Sequence, residues 1–405
     1  MKAIKSPESI GFSSDRLEYV TDWMDRYVEE GKLAGSQTII ARGGKIAYSK
    51  SVGLADVENN LPWADDTLVR FYSMTKPITS VALMMLFEKG LFHLDDPVED
   101  FIPAFKDMRV LRLGARNIDD TEPATTKMTV HHLLTHMSGL TYGFNEGTLG
   151  THYTESKMDF GPRRGTLAEQ VDKLAGMPLL FDPGTRWNYG VSTDVVGRLV
   201  EVISGQDLKS YFEEHIFGPL NMTDTAFDVS EDKVGRYSSA YGVSGDGSLK
   251  LMDAREKSIF LAGRTVCYSG GGGLISTAGD YFKFAEMLRR RGVLGDARLL
   301  GSRTVDFMTR NHLEGDLALN GQPLFSEVSF IGVGFGLGGW VMLEPTRSQM
   351  MGSVGDFGWG GMASTVFWVD PIEDLTIIYL TQLMPSSHYP LRKELRSLVY
   401  QALID

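Results

Sequence analysis

Strand-forming segments crowd the two ends of this chain and are scarce between them. Near the start, residues 37–42 and 45–49 are β-rich runs on either side of Gly43-Gly44, the pattern of a tight hairpin. Near the end, residues 330–337, 340–343, 363–369 and 375–380 read as strands, and Asp370-Pro371 turns one into the next. Helical spacing dominates elsewhere, over 129–136, 167–175, 192–204, 208–217, 278–291 and 302–312. Residues 15–32 form an amphipathic helix ahead of the hairpin, and 391–403 a closing one. Residues 106–127 and 143–165 read as irregular loop. Strands placed in this way pair the two chain ends in one sheet. The expected fold is α/β of the α+β type, an antiparallel sheet flanked by helices with a mostly helical lobe inserted. Residues 1–70 and 270–405 would form the discontinuous α/β lobe and 71–269 the helical one, with the active site at their seam.

Length and charge narrow the possibilities further. The 405 residues are too many for one typical core but suit two lobes. A net charge of −12, with no basic run, argues against nucleic acid as a partner. No stretch approaches eighteen apolar residues, so no membrane span is expected. No apolar run follows Lys2 and Lys5, so the start does not read as a secretory signal and a cytoplasmic location is expected. Cys267 stands alone, which excludes an intrachain disulfide and suggests a buried thiol. Oligomeric state has no signature in the sequence.

The chemistry is concentrated around Ser73-Met74-Thr75-Lys76-Pro77. Val81, Ala82, Met85 and Leu86 follow at helical spacing, and Gly90 marks a stop. Ser73 then falls at a helix start with Lys76 one turn in, so hydroxyl and ammonium share a face. A serine nucleophile with a lysine partner needs that placement. Taken alone, Ser-x-x-Lys is ordinarily a helix cap followed by a surface lysine. No Gly-x-Ser-x-Gly elbow and no His-Glu-x-x-His occurs. His132 and His136 are spaced to share a metal, but no carboxylate lies nearby, and they read as packing residues. Gly270–Gly273 lacks the Lys-Ser/Thr of a phosphate loop and reads as a tight turn by a pocket wall. No metal or cofactor is expected.

Further motifs occur in order: His132-Leu133-Leu134-Thr135-His136-Met137-Ser138-Gly139-Leu140, then Phe181-Asp182-Pro183-Gly184-Thr185 with Asn188-Tyr189, then Gly270 to Ala278. With the Ser73 motif, this set resembles the serine β-lactamase-related superfamily, in particular class C β-lactamases and family VIII carboxylesterases. The resemblance implies a β-lactamase/DD-peptidase-like fold, with Ser73 as acylated nucleophile, Lys76 as its partner and Tyr189 as the second-motif tyrosine. It implies substrate contacts from Trp359-Gly360-Gly361, in place of Lys-Thr-Gly, and an oxyanion hole from the amides of Ser73 and Met362. Two departures stand out. Val191 replaces the asparagine of Tyr-x-Asn, and Trp359 replaces a lysine that would attract an anionic lactam or peptide. Both favour an uncharged ester.

The acylation chemistry follows from general principles. A serine hydroxyl needs a base at neutral pH. In a partly dry cleft, a lysine and a tyrosine alter one another and titrate as a unit, so either could take the proton. The expected activity is a serine carboxylesterase for neutral short- to medium-chain esters, with weak β-lactamase side activity. The alternatives are a β-lactamase, a D-Ala-D-Ala peptidase-like hydrolase or an acyltransferase on the same fold, and a non-catalytic binding protein.

Overall fold

A computed structural model describes residues 2–322, 324–325 and 328–404. The outermost residues of the expected α/β lobe, Met1 and Asp405, lie outside it. The chain ends do meet in one sheet. Strands β1 (Gly35–Arg42), β2 (Lys45–Asp56) and β3 (Leu61–Pro62) come from the start of the chain. From its end come β4 (Val333–Phe335), β5 (Trp340–Met342), β6 (Phe357–Gly360), β7 (Val366–Asp370) and β8 (Leu375–Thr381). Their order is β4-β5-β6-β7-β8-β1-β2-β3, antiparallel throughout. Ile39 lies opposite Ile378 where the two chain ends join.

Both faces of the sheet are covered, so alternate residues enter different cores. Ile40, Val366, Trp368, Ile377 and Tyr379 pack with helices α1 (Ser14–Glu29) and α10 (Leu391–Tyr400). Ile39, Phe357, Trp359, Phe367 and Ile378 face the opposite way, into a core that continues through the rest of the chain. This double burial explains why the last strand, Leu375-Thr376-Ile377-Ile378-Tyr379-Leu380, is nearly all apolar rather than alternating.

Among the remaining helices, α2 (Thr75–Phe87) is central and buried on nearly all sides. Around it and the sheet lie α3 (Val130–Leu134), α4 (Thr148–Glu155), α5 (Leu167–Ala175), α6 (Ser192–Ser204), α7 (Leu208–Phe212), α8 (Ala278–Arg289) and α9 (Ser302–Met308). Helix α2 packs on α6, and α8 lies across β7 and β8.

Several expected elements shift. The run 143–165 contains α4, and 106–127 contains a small hairpin of Arg109–Leu111 with Thr121–Pro123. The helix expected over 208–217 changes to a π turn at Glu213–Phe217. The strand expected from residue 363 begins at Val366, because 361–364 form a turn closed by the Ser364 amide on the Gly361 carbonyl at 3.1 Å, with Ser364 at φ +63°. Strand β6 carries no strand signature, since glycines occupy 358 and 360. Among the described residues, no helix is long and apolar enough to cross a membrane.

Candidate active site

Ser73 sits in a single 3₁₀ turn, Tyr72–Met74, that leads directly into α2. The backbone is held on both sides of it. Val69–Arg70 pairs with Ile275–Ser276, the Phe71 amide donates to the Leu274 carbonyl, and the Tyr281 hydroxyl donates to the Met74 carbonyl at 2.8 Å. Arg70 is wholly buried. Its guanidinium donates to Asp253 at 2.7 Å and to the Ser238 carbonyl at 2.8 Å, and lies 4.3 Å from the centre of the Tyr237 ring. Between these anchors Tyr72 adopts φ +44°, a left-handed conformation that an aromatic residue rarely takes. Such strain persists where the surroundings over-determine it. Here it turns the chain from strand to helix at the residue before Ser73.

Lys76 is buried one turn on and donates three ways: to Ser73 Oγ at 3.1 Å, to the Tyr142 hydroxyl at 2.9 Å and to the Gly271 carbonyl at 2.7 Å. The Tyr189 ring centre is 4.8 Å from Nζ, and the Tyr142 and Tyr189 rings are 5.2 Å apart. Trp359 Nε1 donates to the Tyr189 hydroxyl at 3.3 Å. The Trp359 indole therefore directs its N–H to the Tyr189 hydroxyl. His136 packs against the Tyr189 ring, and its Nδ1 accepts the Gly190 amide at 3.4 Å. Burial, reinforced by the Lys76 charge, holds the His136 imidazole well below its usual range, so it packs as a neutral ring.

Behind Lys76 lies Asp194, in the first turn of α6 and fully buried. It accepts from Ser269 Oγ at 2.5 Å and from the Gly271 amide at 3.0 Å. Burial raises its carboxyl above the ordinary range, opposed by the Lys76 charge and by these two donors. A Cβ at Gly271 would collide with this carboxylate, so glycine is required there. Asp194 thus holds the amide side of Gly271, the residue whose carbonyl, in the next peptide, receives Lys76. Tyr142 is pushed well above its usual range by burial and by the neighbouring Tyr189 and Asp194, which keeps its phenol protonated.

Ser73, Tyr189, Trp359, Gly360, Gly361 and Met362 line one cavity of about 1400 Å³, with Lys76 enclosed behind Ser73. Its walls combine aromatic and methionine side chains with glycines, serines and charged residues such as Arg164 and Asp253. Gly361 lies against the Phe71 carbonyl, which brings the Met362 amide near the start of α2. Among the described residues, neither the Ser73 nor the Met362 amide donates to a backbone carbonyl. Val191 is fully buried ahead of α6 and does not line the cavity.

Two residues of this cluster are not singled out by sequence. Tyr142 falls just ahead of the loop expected over 143–165 and outside any motif, and Asp194 lies inside the α6 helical pattern with no motif to mark it. The nearest signal is the position of Asp194 five residues after Tyr189. His132 caps α3, its Nδ1 accepting the Thr129 amide at 3.2 Å. Among the described residues, no group of three His, Cys, Asp or Glu side chains could hold a metal. Cys267 is a buried free thiol, raised chiefly by burial.

A family model described as Beta-lactamase matches residues 20–401. The chain is 31% identical over 392 residues to esterase EstB of Burkholderia gladioli, covering 93% of each protein. It is 31% identical over 383 residues to monacolin J acid methylbutanoyltransferase of Aspergillus terreus, covering 88% of each. Among solved structures, EstCE1, described as a hydrolase with promiscuous acyltransferase activity, superposes with a TM-score of 0.80 at 25% identity, over 97% of this chain and 99% of that one.

Proposed function

Starting from the fact that this chain belongs to the beta-lactamase family, we propose that it is a serine carboxylesterase acting on neutral esters through an acyl-enzyme on Ser73. The observation that carries this reading is the 3.1 Å contact from Lys76 Nζ to Ser73 Oγ at the wall of a largely apolar cavity. Ser73 Oγ attacks the ester carbonyl carbon, and its proton passes to the pair of Lys76 and Tyr189. The same proton leaves on the departing alcohol. The amides of Ser73 and Met362 hold the oxyanion, where each such donor is worth about 2.7–4 kcal/mol. Water then attacks the acyl-serine and releases the acid.

The absence of a cation at position 359 supports neutral substrates over anionic lactams. A charge-assisted hydrogen bond is worth about 1.5–3 kcal/mol, roughly ten- to a hundredfold in selectivity. A second reading replaces water by an alcohol, which would make the protein an acyltransferase. The similarity to the Aspergillus terreus transferase and to EstCE1 favours it.

A fluorophosphonate should form one adduct, on Ser73, as read by mass spectrometry. Hydrolysis of p-nitrophenyl butyrate should exceed that of nitrocefin in kcat/KM. Labelling of another serine would overturn the nucleophile, and a preference for nitrocefin would overturn the esterase reading. Product ratios with an added alcohol separate hydrolysis from transfer.

A further inference from the structure

The peptide that would supply the second oxyanion donor is gripped from behind. Arg392 lies at the start of α10, on the far side of β6 from Trp359, and is buried. Its Nη2 donates to the Gly361 carbonyl at 3.2 Å and lies 3.5 Å from the Thr365 carbonyl. The Gly361 carbonyl and the Met362 N–H belong to one peptide group. Among the described residues the one cis peptide is Met384–Pro385, so this group is trans and its C=O and N–H point in opposite directions. A guanidinium on the carbonyl therefore lies on the side away from the donor. It draws electron density out of the amide, and hydrogen bonds linked in this way strengthen one another.

The two glycines follow from the same arrangement. A Cβ at Gly360 would lie 2.6 Å from Arg392 Nη2, in the space the guanidinium fills. A Cβ at Gly361 would collide with the Phe71 carbonyl and the Thr365 hydroxyl, which packs this peptide against the residues leading into Ser73. Glycine at 360 and 361 thus serves the approach of Arg392 on one side and of the nucleophile turn on the other. The next arginine along the helix, Arg396, is engaged elsewhere, in a buried pair with Asp356 at 2.8 Å.

We propose that Arg392 is a positioning residue for catalysis: through the Gly361–Met362 peptide it fixes and polarises the N–H that stabilises the acyl oxyanion. This rests on the reading of Ser73 and Met362 given above. Outright removal of an oxyanion donor lowers kcat by about 10²–10³-fold, so weakening one should lower it roughly tenfold.

The test compares Arg392→Met and Arg392→Gln with the wild type on p-nitrophenyl butyrate, together with inhibition by an alkyl trifluoromethyl ketone, whose serine adduct carries an oxyanion. Arg392→Met should lower kcat with KM little changed and raise the inhibition constant by the same factor. Arg392→Gln keeps a neutral donor and should fall between. If Arg392→Met does not fold, Arg392→Gln decides alone. Wild-type kcat and inhibition constant in a folded variant overturn the proposal, as does a fall in Tm with both constants unchanged. Fluorophosphonate labelling of wild-type Ser73 separates this failure from failure of the esterase reading: if Ser73 does not label, that reading falls first.

Discussion

Lys76 has three hydrogen-bond acceptors, and they are a hydroxyl, a phenol and a peptide carbonyl. The nearby carboxylate, Asp194, feels the Lys76 charge but takes its hydrogen bonds from Ser269 Oγ and the Gly271 amide. Among the described residues Lys76 is thus oriented by neutral acceptors. The two tyrosines play different parts in this arrangement. Tyr142 accepts from the ammonium, whereas the Tyr189 hydroxyl accepts from Trp359. Tyr189→Phe should lower kcat by about 10²–10⁴-fold, the usual range for losing an acid–base group. Tyr142→Phe removes one hydrogen bond to a charged group and should lower kcat about ten- to a hundredfold. Their double variant should be little worse than Tyr189→Phe, since groups that act as a unit are not additive. Steady-state kinetics on p-nitrophenyl butyrate check this, and full activity in Tyr189→Phe would remove that residue from the mechanism.

Helix α3 and the segment after it carry the half-buried His131 and His132 and the buried His136. His131 Nε2 lies 3.3 Å from His312 Nδ1, and His312 Nε2 lies 2.8 Å from the Phe307 carbonyl. Burial, with the neighbouring His312 and His132, lowers His131 from 6.5 to about 4. His132 and His312 are also lowered, chiefly by burial, and His136 strongly so. For a group depressed in the folded state, the unfolded chain binds the proton first as pH falls. The stability is therefore fully present above the ordinary value of 6.5 and is lost progressively as pH drops towards 4. Tm measured between these limits should fall, and the variant His131→Gln/His312→Gln should flatten the slope. An unchanged slope would show that this pair does not govern the acid response. The sequence reading of His132 and His136 as packing residues points the same way, but the partner of His131 comes from a segment far along the chain.

At the scale of the whole molecule, the nucleophile turn meets strand β6, and a cavity of about 1400 Å³ opens where they meet. Ligand pockets commonly measure about 300–1000 Å³, so this one exceeds what a butyrate ester needs. Met158, Met342 and Met350 are among its walls, and methionine adapts its shape at little cost. Activity on p-nitrophenyl esters should therefore hold from four-carbon acyl chains to longer ones rather than collapse beyond butyrate. A kcat/KM that falls steeply past four carbons would show that only part of the cavity receives the acyl group.

Residue order alone determined the fold class, because strand-forming runs at the two chain ends must find one another to bury their apolar faces. It also determined Ser73, Lys76 and Tyr189 as candidates, because a short helix spacing and an ordered set of motifs can be read locally. Strand β6 was not legible. Its glycines hide the strand pattern, and they are present because the Phe367 carbonyl and Trp340 at Gly358, and Arg392 at Gly360, occupy the space side chains would fill. Tyr142, Asp194 and Arg392 lie 66, 118 and 316 residues from Lys76 in sequence. Only tertiary packing brings them to one site. Hydrogen bonds across such separations depend on how the sheet and helices pack, which no local pattern encodes.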